Sequence, residues 1–287
     1  MFMDVKQKIT EISTQEKQSF SHTDGNACEK GARQLKNRGL RGVGLALMTA
    51  CLALTLGPGA EPEVQLTGGG AMVEIKDGPP PLVALTFDDG PRNTTTSRLL
   101  EGLAQREVPA TFFLVGNRIP GSEDLLREMA AAGHQIGIHT YDHVKITDLS
   151  REDFDLQVGK TRELLVDVLG EGDYWFRPPY GITDSAVSKW ADTPLVLWSV
   201  DPEDWKDRNT DRIVSSVLSH VKDGDIILMH DIYDSSVDAA LRVVDSLLEQ
   251  GYCFVTVEQL MELRQVQPER GVRYSALAPD PGERGNG

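Results

Sequence analysis

The stretch Pro81-Leu82-Val83-Ala84-Leu85-Thr86-Phe87-Asp88-Asp89-Gly90-Pro91 decides how the rest of the chain is read. Its first part, Pro81 to Phe87, is apolar apart from Thr86 and reads as a buried strand. Two carboxylates follow where that strand must turn. Adjacent strand residues face opposite ways, so both aspartates enter one pocket only if the backbone leaves the pleat. Gly90-Pro91 supplies a turn at that point. Neighbouring carboxylates are costly unless a cation or a proton sits between them. The same residues also read as a plain Asp-Asp-Gly strand-end turn, and what recurs downstream decides between the two.

From Pro81 to about Arg264, short apolar runs alternate with helical patterns, the signature of a βα-repeat fold with a parallel sheet. The expected strands cover residues 81–87, 110–116, 134–139, 174–177, 195–200, 225–229 and 253–257. One helix is expected from an Asn93 or Thr94 cap to about Glu107, another from Ser122, and a third behind a Ser150/Asp153 capping box. Two more are expected at about Thr210–Val221 and Ser236–Gln250. Asp88-Asp89, His139, Arg177, Asp201 to Asp204 and His230 each stand at the C-terminal end of a different expected strand. In a parallel barrel those ends form one face, the one that carries active sites. Packing does not explain the coincidence, because residues polar for surface reasons would also fall on helix faces and at the other strand ends.

The chain has 287 residues and a net charge of −15, which suits one globular domain with extensions and argues against a nucleic-acid partner. Its basic cluster, Lys30, Arg33, Lys36, Arg38 and Arg41, precedes an apolar run from Gly42 to Gly57, a membrane-targeting pattern. The expected organisation is a cytoplasmic leader (1–41), a transmembrane anchor or signal segment (42–60), a linker (61–79), a catalytic domain (80–266) and a disordered tail (267–287). An uncleaved anchor is favoured by the long segment before the run and by the absence of a small-x-small cleavage site. Cleavage with secretion, or a degraded lipoprotein box at Met48-Thr49-Ala50-Cys51, are the alternatives. The positive-inside rule then puts everything after about Ala60 outside the cell. On that topology Cys28, Cys51 and Cys253 lie in three different environments, so no intrachain disulfide is expected and Cys253 reads as a small buried hydrophobe.

His139 and His143 have the i, i+4 spacing that brings two imidazoles to one metal on a helical turn. With a carboxylate from the first strand end they complete a two-His, one-carboxylate set with open positions, the form of a catalytic zinc site. One aspartate then binds the ion and the other takes a proton from water. His230 is placed to protonate a leaving group, and Asp201-Pro202-Glu203-Asp204-Trp205 offers the carboxylate that would hold it charged. His22, His134 and His220 are given structural roles.

Thr86-Phe87-Asp88-Asp89-Gly90, His139-Thr140-Tyr141-Asp142-His143, Arg177-Pro178-Pro179-Tyr180-Gly181, Asp201-Pro202-Glu203-Asp204-Trp205 and Ile226-Ile227-Leu228-Met229-His230-Asp231 resemble the five ordered motifs of the NodB-like polysaccharide deacetylases, carbohydrate esterase family 4. The resemblance covers about Pro80 to Arg264. It implies a distorted, TIM-like (β/α)7 barrel and hydrolysis of acetyl groups on a glycan. It also implies that Asp88 is the base, that Asp89, His139 and His143 hold the metal, and that Arg177 orients Asp88. Tyr180 would stabilise the oxyanion through its backbone N–H, and His230 would be the acid with Asp204 as partner. Trp205 and Leu228 would line the pocket for the acetyl methyl. The expected cofactor is one divalent ion, zinc foremost, with cobalt, nickel or manganese acceptable to the same donors. The expected partners are an acetylated glycan and, through residues 42–60, a membrane, with the chain a monomer.

The form of the third, fourth and fifth motifs most resembles peptidoglycan N-acetylglucosamine deacetylases. Chitin oligomers, poly-N-acetylglucosamine and acetyl-xylan are the rival substrates. A glycan-binding protein without turnover would not need Asp88 and His230 together. A glycosidase pair would need carboxyls about 5 Å or more apart on opposite faces of a sugar, which sequence neighbours cannot readily supply.

Overall fold

The structure is a computed structural model that describes residues 79–278. In chain order its main elements are β1 (Leu82–Asp88), α1 (Asn93–Ala104), β2 (Thr111–Leu114), α2 (Glu123–Ala131), β3 (Gln135–Ile138) and α3 (Arg151–Leu169). There follow α4 (Ser185–Trp190), β4 (Leu195–Val196), α5 (Asp204–Asp207), α6 (Thr210–His220) and β5 (Asp225–His230). The last are α7 (Asp234–Glu249), β6 (Cys253–Val255), α8 (Val257–Leu263) and β7 (Arg273–Tyr274).

The fold is a parallel α/β arrangement centred on β1. Strands run in the order β3-β2-β1-β5, all parallel. One edge of β1 is shared: β6 pairs with Leu82–Ala84 and β2 with Thr86–Asp88. The other edge pairs with β5 along its whole length and puts Asp88 opposite His230. β4 and β7 form a second parallel pair, and single bridges at Ile138–Phe176, Phe176–Leu195 and Val200–Ile227 link the pairs.

The two-residue period of the strands sorts their side chains into two layers. Val83, Leu85 and Phe87 of β1, Phe112 and Leu114 of β2, and Ile227 and Met229 of β5 belong to the larger core shared with the helices. Ala84, Phe113 and Ile226 face the other way, into a smaller core with Trp175, Val196 and Leu260. Following that parity along β1 gives Thr86 and then Asp88, and along β5 gives Leu228 and then His230. Gly137 of β3 lies on this inner side, where a Cβ would stand 2.6 Å from both Phe113 Cδ1 and the Trp175 carbonyl oxygen.

Several expectations are corrected. The strand expected at 174–177 reduces to bridges on either side of Phe176, because Pro178 and Pro179 end its supply of N–H donors. The strand expected at 195–200 is regular only over Leu195–Val196. α1 begins after Arg92 with no side-chain cap, so neither Asn93 nor Thr94 caps it; instead the Thr96 hydroxyl accepts from the Arg92 N–H at 2.9 Å. The Ser150 cap on α3 is present. The tail expected to be disordered from 267 has a defined path to residue 278: β7 pairs with β4, and the buried Leu277 joins the smaller core. Cys253 is disulfide-bonded, against the expectation of a lone thiol. The segment 42–60 also lies outside them; among the described residues no helix is long and apolar enough to cross a membrane.

Candidate active site

Asp88 ends β1 and Asp89 leaves the pleat, with φ at 73°. That left-handed step, uncommon for a residue with a side chain, is what lets consecutive carboxylates share a pocket. Asp88 Oδ2 lies 3.6 Å from His139 Nε2, and Asp89 Oδ1 lies 3.7 Å from the same nitrogen. Asp89 Oδ1 is also 3.2 Å from His143 Nε2. Arg118 donates to the Asp89 carbonyl and holds the turn from outside.

His139 and His143 do not sit on a helical turn. The chain between them is a loop with Thr140 and His143 at φ of 61° and 55°, and that loop brings the rings to 5.0 Å between centroids. His139 Nδ1 lies 2.7 Å from the Arg177 carbonyl, to which it donates, leaving the Nε2 lone pair facing the aspartates. Burial, against a raising influence from Asp89, pushes the His139 pKa down to about 3, so the ring is neutral. Oδ1 of Asp89 is buried and has no hydrogen-bond partner. Its acceptor atom and the two imidazole nitrogens fall within 4.8 Å of one another, a donor set that fits a divalent cation.

Arg177 lies fully buried on the inner face. Nη1 donates to Asp88 Oδ1 at 2.8 Å and to Thr86 Oγ1 at 2.7 Å, while Nε and Nη2 donate to the carbonyls of Val196 and Leu197. The guanidinium stacks 4.1 Å from the Phe113 ring centroid. Burial raises the Asp88 pKa, and Arg177 is the chief opposing influence.

Across the pocket, Asp204 at the start of α5 is fully buried and receives both the His230 backbone N–H, at 2.8 Å, and His230 Nδ1–H, at 2.7 Å. Burial pulls the His230 pKa down, but the Asp204 hydrogen bond and charge, with Asp88 and Asp89, outweigh it and carry the value to about 9. Asp201 is exposed and accepts from the Glu203 N–H, so of the two aspartates flagged there only Asp204 reaches the site. Tyr180 has φ of 62° and packs its ring edge on His143 at 4.9 Å, with the side chain mostly exposed. Leu228 is buried on the inner face, whereas Trp205 is 49% exposed on α5 and is not core.

Three contributors escaped the sequence reading. Thr86 anchors Arg177 and donates to the Ile227 carbonyl. Asp231 is fully buried against Gly90 and accepts from Thr96; burial raises its pKa to about 7. Gln157, on α3, holds the loop between the two histidines. Only Asp231 had a visible signal, its place beside His230 at a strand end.

A family model for polysaccharide deacetylases matches residues 75–193. The chain is 39% identical over 184 residues to the peptidoglycan-N-acetylmuramic acid deacetylase PdaC of Bacillus subtilis, covering 64% of this chain and 39% of that protein. It thus spans about two fifths of that relative's length. A peptidoglycan-N-acetylglucosamine deacetylase of Bacillus cereus is 36% identical over 187 residues, covering 63% of this chain and 68% of that one. The solved structure of a family 4 acetyl xylan esterase from Clostridium thermocellum, in complex with a cobalt ion, superposes with a TM-score of 0.65 at 30% identity, covering 68% of this chain and 98% of that one. With its turn, histidine loop and buried His–Asp pair in place, the chain belongs to the polysaccharide deacetylase family.

Proposed function

We propose that this protein hydrolyses N-acetyl groups from N-acetylglucosamine in peptidoglycan, using one divalent metal ion held by Asp89, His139 and His143. The observation that carries the reading is the placement of Asp88 and His230 opposite each other on paired strands, each locked by its own charged partner. Acid and base on either side of one pocket suit amide hydrolysis, where one group takes a proton from water and the other gives one to the departing amine. When bound, the ion, zinc by expectation, supplies Lewis-acid polarisation of the acetyl carbonyl and of the attacking water. Asp88 accepts the proton of water, its orientation fixed by Arg177 and its basicity raised by burial. His230 gives its Nε2 proton to the amine nitrogen, and Asp204 keeps the imidazolium charged and aligned. The Tyr180 N–H donates to the developing oxyanion, and Leu228 with Trp205 borders the acetyl methyl. We read the two linked sheets as the distorted (β/α)7 barrel, supported by the bridges through Phe176 and Val200.

The substrate is tested by mass analysis of muropeptides after incubation with the protein. A free amine on glucosamine supports the reading; a free amine only on muramic acid moves the site of action, as the likeness to PdaC would allow; acetate released from xylan alone overturns it. The acid role carries a pH prediction. His230 is raised above its ordinary value, so its proton is present at neutral pH and lost as pH rises through the raised value. A cation neutralising Asp89 removes one of the raising influences, so the alkaline limb of kcat/KM is expected between neutrality and pH 9. A limb unchanged in Asp204→Asn would contradict the pairing.

The anchor is part of the proposal: residues 42–60 hold the chain at the cell membrane with residues 80–266 outside, supported by the basic cluster before them. Alkaline extraction of cell membranes tests it: full chain that stays with the membrane supports the anchor, and full chain released to the supernatant overturns it.

A further inference from the structure

The loop that carries both imidazoles has no regular structure of its own, and two of its residues, Thr140 and His143, hold left-handed backbones that side chains rarely adopt. Such conformations persist only where the surroundings over-determine them. On one side the loop is tied to the turn after β2, by Gly116 N–H to the Thr140 carbonyl at 2.9 Å and Asn117 N–H to the Tyr141 carbonyl at 3.0 Å. On the other side stands Gln157, one turn and a half into α3. Its Oε1 accepts from the N–H groups of both Tyr141 and Asp142, at 3.0 and 2.9 Å. Its Nε2 donates to Asp142 Oδ2 at 2.9 Å, while Asn117 Nδ2 donates to Asp142 Oδ1 at 3.1 Å. One amide side chain therefore meets two consecutive backbone donors and orients the carboxylate directly before His143.

The approach of α3 to the loop is close. A Cβ on Gly116 would stand 2.4 Å from Thr161 Oγ1 and 2.7 Å from Tyr141 Cδ2, and Lys160 Nζ sits 3.5 Å over the Tyr141 ring. Gln157 is thus fixed by a rigid helix, one helical turn before Thr161, whose hydroxyl donates to the Gln157 carbonyl.

We propose that Gln157 is a positioning residue for the metal site, holding the 140–143 backbone in the shape that aims the His139 and His143 ring nitrogens at Asp89. It touches neither substrate nor ion and acts through the loop. The inference rests on the metal reading of Asp89, His139 and His143. The chemistry allows an exchange of partners. Gln157→Glu keeps an acceptor for the two N–H groups but sets a carboxylate oxygen 2.9 Å from Asp142 Oδ2, where an amide donor now stands. Adding Asp142→Asn returns one donor and one acceptor to that contact, with the amide on the other side.

The test is titration of the metal-stripped full chain with cobalt(II), followed calorimetrically, with thermal melts alongside. Wild type is expected to bind one ion, Gln157→Glu to bind about 10–100-fold more weakly, and Gln157→Glu/Asp142→Asn to return to the wild-type range. Binding by Gln157→Glu equal to wild type would overturn the positioning role, as would a double variant as weak as the single one while melting like wild type. A wild-type chain that binds no cobalt would overturn the metal reading itself.

Discussion

Asp88→Asn is expected to lower kcat for acetate release by about 10²–10⁴-fold, the usual worth of a positioned proton acceptor, while the affinity for cobalt stays near that of wild type. The asparagine oxygen can still accept from Arg177 Nη1 where Asp88 Oδ1 does, at 2.8 Å, so the pocket keeps its shape. What is lost is the site for the proton of water. On the proposed mechanism Asp89 cannot take over, because its Oδ1 faces His139 and His143 and belongs to the donor set proposed for the ion. The two consecutive carboxylates are thereby given distinguishable effects: Asp88→Asn should remove turnover and spare binding, and Asp89→Asn should weaken both. Equal loss of cobalt affinity in the two would contradict the division of roles.

Arg177→Met is expected to destabilise the fold by about 3–5 kcal/mol, the range for removing one partner of a buried ion pair. Methionine nearly fills the volume but gives nothing to Asp88, to Thr86 Oγ1, or to the carbonyls of Val196 and Leu197. Asp88 is 2% exposed, so its charge would be left unpaired in the interior. Burial already raises its pKa, and without Arg177 it rises further. The sign follows from where the unfolded chain titrates. With a folded value above the unfolded one, the ionised carboxylate opposes folding at neutral pH, and the deficit shrinks as pH falls through the folded value. Urea unfolding at neutral and mildly acidic pH should therefore show a larger loss at neutral pH. A loss under about 1 kcal/mol, the range of a surface pair, would mean that Arg177 does not hold Asp88 in the folded protein.

Much of the site was legible because strand ends are local. An apolar run followed by a polar residue fixes where a side chain emerges, and the parity of β1 and β5 then puts Asp88 and His230 on one inner face without knowledge of the rest. Asp88 and Asp89 were readable as sharing a pocket only through a break in the pleat, and the break is the left-handed Asp89. The i, i+4 spacing of His139 and His143 led to an expectation of two neighbouring rings on a helical turn; the rings do meet, but on a loop that closes the same distance.

What stayed hidden depends on contacts between distant segments. Nothing near Gln157 in the sequence marks it, because its partners are backbone groups 15 and 16 residues away. β7 reads as tail by its composition and gains its structure only by pairing with β4. Phe176, in a run that looks like an ordinary strand, is cut short by the two prolines behind Arg177. Thr86 looked like a polar interruption of an apolar run and proves to be an anchor for the guanidinium.

The most direct measurement is acetate release from purified peptidoglycan by the full chain, as isolated, after metal removal with a chelator, and after adding back zinc or cobalt. Release that disappears with the chelator and returns with the ion is the expected result, and the Asp89→Asn chain should not recover. Release that persists in the stripped protein, or that Asp89→Asn retains in full, would contradict a reaction that depends on an ion at Asp89, His139 and His143.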